Sequence, residues 1–447
     1  MLDLVKIGQS VIDSALANEE IEAYLVRESE TAIRVYESDV ESLTSADSSG
    51  IGIRIVSQNR VGISYAGTLE PDEIARAVAE ARDNARFGSA DPYAGVASPD
   101  DVAPANLDVW ANDIGATSTQ AKIDAAMQLE KATLALDKRI RSLNSSNYGD
   151  VSAEAAVLNS RGVVAYTRQT YCWAWVYALA SQDEETQTGY GMHASRDFGG
   201  LDIEVAASEA AKKATRMLGA TKPTSGLFRA VFEPDISSAL ISIISSTLSA
   251  ESVQKGRSIF AGRLGESVAA AELTLMDDPT DKRFFSAASF DDEGLASRRN
   301  VLIENGELKS FLYDSYTGRK DDHPSTGSAI RGGIAGSTSP GPRATMVAPG
   351  NGSPEEIVAK VGDGVLIQSI SGIHSGVNPI SGDFSVGAEG IQIRNGELQG
   401  AIKEFTIASN LQKMLKDIVA VGSDLTFRPG GSAGVTLAID NINVSGS

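Results

Sequence analysis

Histidine and cysteine are scarce in this 447-residue chain, which holds three of the first and one of the second. A single cysteine, Cys172, rules out an intrachain disulfide and a thiolate cage for zinc, and it suits a reducing compartment. It stands in the aromatic stretch Tyr171-Cys172-Trp173-Ala174-Trp175, which predicts a buried, inert thiol. His193, His323 and His374 form no His-x-x-x-His or His-Glu pair, so no single helix supplies a hydrolytic zinc site. Basic residues are also short, 39 against 59 acidic, for a net charge of −20. Such a field repels phosphate backbones, so nucleic acid is not an expected partner. Long apolar runs are missing too. The most apolar window, Ile236 to Leu248, is interrupted by five serines and is too short to span a bilayer. Met1-Leu2-Asp3-Leu4-Val5-Lys6 has no basic, then apolar, leader pattern, so a cytoplasmic location without membrane attachment is expected. Neither a P-loop pattern nor a strand-borne G-x-G-x-x-G is present, which leaves nucleotide binding without support.

What is present is ordinary globular composition, 42% hydrophobic and 22% charged, in a chain long enough for two or three domains. Apolar spacing predicts a first helix over residues 2–18. Strands follow at Ile21 to Arg27, Thr31 to Glu37, Gly50 to Val56 and Arg60 to Ala66, then a helix from Glu70 to Arg86 with Pro71 in its first turn. Residues 88–116, crowded with Pro, Ala, Asp and Gly, read as a long surface connection. A second unit starts with a helix over Thr117 to Asp137. Strands near 150–158, 162–179 and 186–194 come next, and an Ala-rich helix from Asp202 to Leu218 closes it. The turn-forming segment Thr221 to Gly226 marks a boundary. The segments are therefore 1–116, 117–225 and 226–447. Beyond the boundary glycine rises, short strands dominate, and two Asn-Gly pairs, Asn305-Gly306 and Asn395-Gly396, each predict a hairpin of antiparallel strands.

Candidate chemistry is sparse. His374 lies in a glycine-bracketed loop, Ser371 to Pro379, close to Asp383, where it can serve either a site or a turn. His323, in Asp321-Asp322-His323-Pro324, fits a solvated turn as well as a cation site. Gly430-Gly431-Ser432-Ala433-Gly434 matches the nucleophile-elbow pattern, but no histidine follows it and Pro429 gives the wrong context, so a glycine-rich turn is expected. The helix read over Pro234 to Ala250 puts Ile236, Leu240, Ile243, Ile244 and Thr247 on one stripe. Ser238, Ser242, Ser245 and Ser249 lie on another.

Three phrases in the last segment resemble the TldD/PmbA family, described as gyrase modulators and peptidases: Phe290-Asp291-Asp292-Glu293-Gly294, Ser325-Thr326-Gly327-Ser328-Ala329-Ile330-Arg331, and Gly376-Val377-Asn378-Pro379-Ile380-Ser381-Gly382-Asp383-Phe384-Ser385. Gly50-Ile51-Gly52-Ile53-Arg54 is similar to a strand of that family's first domain, so the resemblance covers nearly the whole chain. It implies an α+β fold, with an N-terminal α/β region followed by a largely antiparallel β C-terminal domain. TldD-type subunits of the family carry a His-Glu-x-x-x-His helix and a late cysteine that hold a metal; PmbA (TldE) subunits lack both. This chain resembles the second arm, with Ser242, Ile243 and Thr247 standing at the metal-helix positions. The resemblance then implies no catalytic or metal residue in this chain, and zinc in a TldD-type partner. It also implies a heterodimer, or a homodimer, enclosing a chamber for extended peptide, with His374, Asn378, Asp383 and Phe384 as candidates to hold it. The alternatives are an active peptidase built around His374 and Asp383, and a gyrase regulator, which the charge opposes.

Overall fold

The computed structural model describes residues 3–446. The first half is organised on one antiparallel sheet of six strands in the order β3-β2-β1-β4-β5-β6: β1 (Glu19–Tyr36), β2 (Asp39–Ser57), β3 (Arg60–Ala66), β4 (Ile140–Asn159), β5 (Val164–Gln182) and β6 (Glu185–Ser195). The sequence signals break β1 in two at Glu28-Ser29-Glu30, where propensity is poor. The chain runs straight through because Glu28 is flanked by Ser48 on one side and Ala153 on the other, and two ladders outweigh a weak local preference. Gln58 and Asn59 both take positive φ, 52° and 60°, which makes the tight turn between β2 and β3.

The element order repeats. Helices Leu4–Ile12 and Pro71–Phe87 flank β1 to β3, and helices Thr119–Leu136 and Ile203–Arg216 flank β4 to β6. All four bury their apolar stripes on the same face of the sheet. Leu4, Ile74 and Ala81 pack on Ala23, Leu25 and Ile53, while Leu129, Ala206 and Ala210 pack on Ala174, Val176 and Ala178. The approach is close enough at Gly191 that a Cβ would fall 2.1 Å from the Ala206 carbonyl oxygen. The first helix is shorter than its periodicity suggests: Leu2 lies outside the described residues, and the helix ends at Ile12, which leaves Leu16 exposed. Cys172 is fully buried under these helices. Burial, then the charge of Asp150, pushes its thiol up to about 12, as an inert cysteine requires.

The 88–116 connection is irregular except for one turn of helix at Asp113–Ala116. It is held along the edge of the sheet, where Thr170 N–H donates to the Val109 carbonyl at 3.0 Å and Asn159 Nδ2 to the Ala97 carbonyl at 2.9 Å.

The second half contains a six-stranded sheet in which Gly226–Phe232 lies between Gly364–Ser371 and Leu437–Ser445. The pairing of Gly226–Phe232 with Gly364–Ser371 is parallel, and the sheet's other ladders are antiparallel. Asn305-Gly306 and Asn395-Gly396 both have positive φ at each residue and close antiparallel hairpins. Ile236, Leu240, Ile241 and Ile244 of the helix Pro234–Ser246 enter the main core with Phe232, Leu275 and Ile439. This helix does not reach Ala250. Thr247 is its C-cap, with the hydroxyl turned back onto the Ile244 carbonyl at 2.7 Å, and Ser249 caps a separate short helix, Ala250–Gln254. Among the described residues no helix is long and apolar enough to cross a membrane.

Candidate functional site

The two halves are joined by four charged groups, of which Arg54, Glu293 and Arg331 lie in phrases quoted above and Glu22 does not. From β1 and β2 come Glu22 and Arg54, which lie opposite each other in the ladder and bond at 3.0 Å. From the second half come Glu293 and Arg331. Arg331 donates to Glu22 at 2.7 Å, and Arg54 lies 4.0 Å from Glu293. All four side chains are 9% exposed or less, so each charge depends on its partners. Burial alone would lift the Glu22 carboxyl, but Arg54 and Arg331 hold it below its ordinary value. Glu293 is pushed up, by burial and by Asp314, although it accepts from Ser315 N–H and the Thr338 hydroxyl. Its neighbour Asp291 is pushed up to about 8 by burial and the Glu293 charge, against three backbone N–H bonds from Glu293, Leu295 and Ala329. The two early glycines belong to the same joint. A Cβ at Gly52 would meet the Ile334 carbonyl at 2.2 Å, so the loop after Arg331 can lie directly on β2 only where that side chain is absent.

Beside the joint, the face of the sheet not covered by helices and the second half enclose a cleft of about 690 Å³. Its floor includes Tyr24, Glu28 and Tyr171; its roof includes Phe285, Arg343 and Gly430. Arg343 is tied to Asp292 at 2.6 Å. Among the described residues Arg196 has no carboxylate partner: it donates to the Thr170 and Phe284 carbonyls and lies over Phe285 at 5.2 Å. Burial brings its guanidinium down to about 10.

Gly430 leads from this cleft to the helix Pro234–Ser246. Ser432 and Ala433 form a two-residue strand beside Thr345 and Met346, and the Ser432 carbonyl accepts from the Ser238 hydroxyl at 3.0 Å. With a strand rather than a helix after Gly430, the nucleophile-elbow reading is excluded here. The expected serine stripe is split. Ser238 is half-buried and Ser242 exposed, whereas Ser245 and Ser249 are buried. The three residues that the resemblance sets at the metal helix do not converge: Ser242 is exposed, Ile243 is half-buried, and Thr247 is buried beyond the helix with its hydroxyl committed to Ile244. Two hydroxyls and an aliphatic side chain in that arrangement do not fit a zinc ion, which takes nitrogen, thiolate or carboxylate donors. Among the described residues no group of three or more His, Cys, Asp or Glu side chains is disposed to hold a metal.

The peptide-holding candidates sit elsewhere, on the connection between strands Gly364–Ser371 and Asp383–Arg394. His374, Asn378 and Asp383 are exposed there. Asn378 accepts from the Ile380 and Ser381 N–H groups, and Asp383 accepts from the Ser381 hydroxyl at 2.7 Å. Phe384 is 1% exposed and part of the main core, so it offers no surface to a peptide. The other histidines are engaged locally: His323 stacks on Tyr313 at 4.3 Å, and His193 Nδ1 accepts from the Asp202 N–H at 3.1 Å. The sequence reading missed Glu22, Arg54 and Arg196. Glu22 sits at period two with Tyr24, a signal for facing but not for pairing across 309 residues.

Three family descriptions match the chain in order: PmbA/TldA metallopeptidase domain 1 over residues 21–85, the central domain over 112–218 and the C-terminal domain over 225–446. Among curated relatives, the metalloprotease PmbA homolog of Haemophilus influenzae is 27% identical over 92% of this chain and 88% of its own length. Metalloprotease PmbA of Escherichia coli O157:H7 is 28% identical over 89% and 86%. A solved structure from Thermotoga maritima, described as a putative modulator of a DNA gyrase, superposes with a TM-score of 0.91 at 25% identity, over 98% of this chain and 99% of that one.

Proposed function

The chain belongs to the PmbA/TldD metallopeptidase family, and from that membership we propose that it is a PmbA (TldE)-type subunit, non-catalytic alone, of a zinc peptidase complex. The observation that carries the reading is an exposed Ser242, a half-buried Ile243 and a buried Thr247 on and just after the helix Pro234–Ser246, the residues that the resemblance sets at the metal helix. The late cysteine is missing as well, because Cys172 has no successor in the sequence. In this reading a TldD-type partner holds the zinc. This chain completes the chamber wall in a heterodimer, or a homodimer, and helps hold an extended peptide through backbone pairing and the cleft beside Tyr24 and Tyr171. The cell compartment that fits one buried cysteine is the cytoplasm.

Peptidase assays on an unfolded peptide test it. The purified chain alone should be inactive, and adding a TldD-type subunit should give chelator-sensitive hydrolysis. Hydrolysis by the chain alone, blocked by a chelator and lost on His374→Ala, would instead place it in the catalytic arm.

A further inference from the structure

The face of the sheet that lines the cleft continues past it as a row of rings. Tyr171, Trp173, Trp175 and Tyr177 alternate along β5 on that face, and Tyr190 of β6, opposite Tyr177 in the ladder, extends the row sideways. Centroid separations are 5.4 Å for Tyr171–Trp173, 5.7 Å for Trp175–Tyr177 and 5.0 Å for Tyr177–Tyr190. Trp173 lies across β4 at Gly149, where a Cβ would come within 2.4 Å of the indole. The core is on the other side of the same strand, at Cys172, Ala174, Val176 and Ala178. The rings are therefore not needed to fill it, and Tyr177 remains 39% exposed.

Two features indicate what covers these rings. The first is spacing. Alternate side chains of an extended peptide repeat at about 7 Å, so a peptide laid along β5 presents one side chain to each ring. The second is charge. Glu28 and Glu30 of β1 share the face, and Glu30 lies opposite Val151, which lies opposite Tyr171, about two strand spacings or 10 Å away. Burial and the Glu30 charge hold the Glu28 carboxyl above its ordinary value, so a nearby cation would be favourable. The whole chain carries −20, which attracts basic peptides and opposes stacking of a second copy.

Resting on the peptide reading above, we propose that this face selects extended peptides in which aromatic or aliphatic side chains alternate with Lys or Arg. The apolar side chains lie on Trp173, Trp175, Tyr177 and Tyr190, and the cations reach Glu28 and Glu30 or the ring faces.

Trp173 and Trp175 are two of three tryptophans, so intrinsic fluorescence of the full chain reports the contact. Three short synthetic peptides serve as probes: alternating Phe/Lys, Phe/Glu and Ser/Lys. Phe/Lys should bind at least about tenfold more tightly than either of the others. Trp175→Ala with Tyr177→Ala should remove that preference, Trp110→Phe should not, and Glu28→Gln with Glu30→Gln should lift Phe/Glu toward Phe/Lys. Equal binding of all three peptides, unchanged in the variants, overturns the selectivity and leaves the peptide reading standing. Absence of binding by any peptide, with and without a TldD-type subunit, overturns the peptide reading itself. Conversion of a dimer to a monomer in the ring variants, with peptide binding untouched, assigns the face to self-association and overturns the proposal.

Discussion

Arg331 shows how much can rest on one side chain. Its guanidinium is the link through which the last segment reaches Glu22, and both groups are almost wholly buried. Removing it leaves the buried Glu22 with Arg54 alone, so Arg331→Ala should lower unfolding free energy by about 3 kcal/mol in urea titrations, the lower end for a broken buried pair. Adding Glu22→Leu should deepen the loss, because the buried Arg54 then keeps only Glu293, 4.0 Å away. A second prediction concerns Asp277. It is fully buried, accepts from the Arg343 and Ala344 N–H groups, and burial pushes it up to about 6. A carboxyl whose folded value is raised adds stability that is complete below about pH 4 and lost as pH rises through about 6. Asp277→Asn cannot titrate, so its stability relative to wild type should improve by roughly 2 kcal/mol between pH 4 and pH 7. A constant difference across that range would show that Asp277 does not carry the shift.

Among the elements, the helix Pro234–Ser246 separates what local pattern reveals from what it does not. Its apolar stripe was legible because Ile236, Leu240 and Ile244 recur at helical spacing. Its end was not, since serine and threonine are tolerated in helices, and only the contacts of Leu248 and Ser249 with Leu312 turn the chain away. The Asn-Gly hairpins were fully legible, because the turn itself dictates positive φ. The joint was legible only as phrases: nothing local tells that Glu293 will face Arg54. This bears on any attempt to install a metal. Ser242→His, Ile243→Glu and Thr247→His together should cost about 2–4 kcal/mol, because Thr247 is 2% exposed and an imidazole there overpacks the core. Ser242→His with Ser246→His instead uses two exposed positions one helical turn apart. That pair should leave thermal unfolding within a few degrees of wild type, bind zinc weakly and give no peptidase, since two imidazoles leave the coordination open. Zinc titration followed by a peptidase assay checks both points.

At the scale of the whole molecule, β1 and β4 decide the architecture. They pair antiparallel over a long central register, from Glu22 opposite Asn159 to Val35 opposite Ser146. Each strand brings two more strands and a helix on either side. Breaking the chain in the 88–116 connection should therefore not abolish folding. Residues 3–100 and 105–446, expressed together, should co-purify, held by that ladder and by the Arg331–Glu22 contact. Recovery of one piece without the other would refute this. The sheet also has the form of a pairing of equals. An antiparallel central pair with the same helix–meander–helix order on each side has the local two-fold symmetry of an isologous homodimer. One chain therefore holds both sides of what two subunits would otherwise have to bring together, and the two sides carry different loads, the Arg54 joint on one and the rings of β5 on the other.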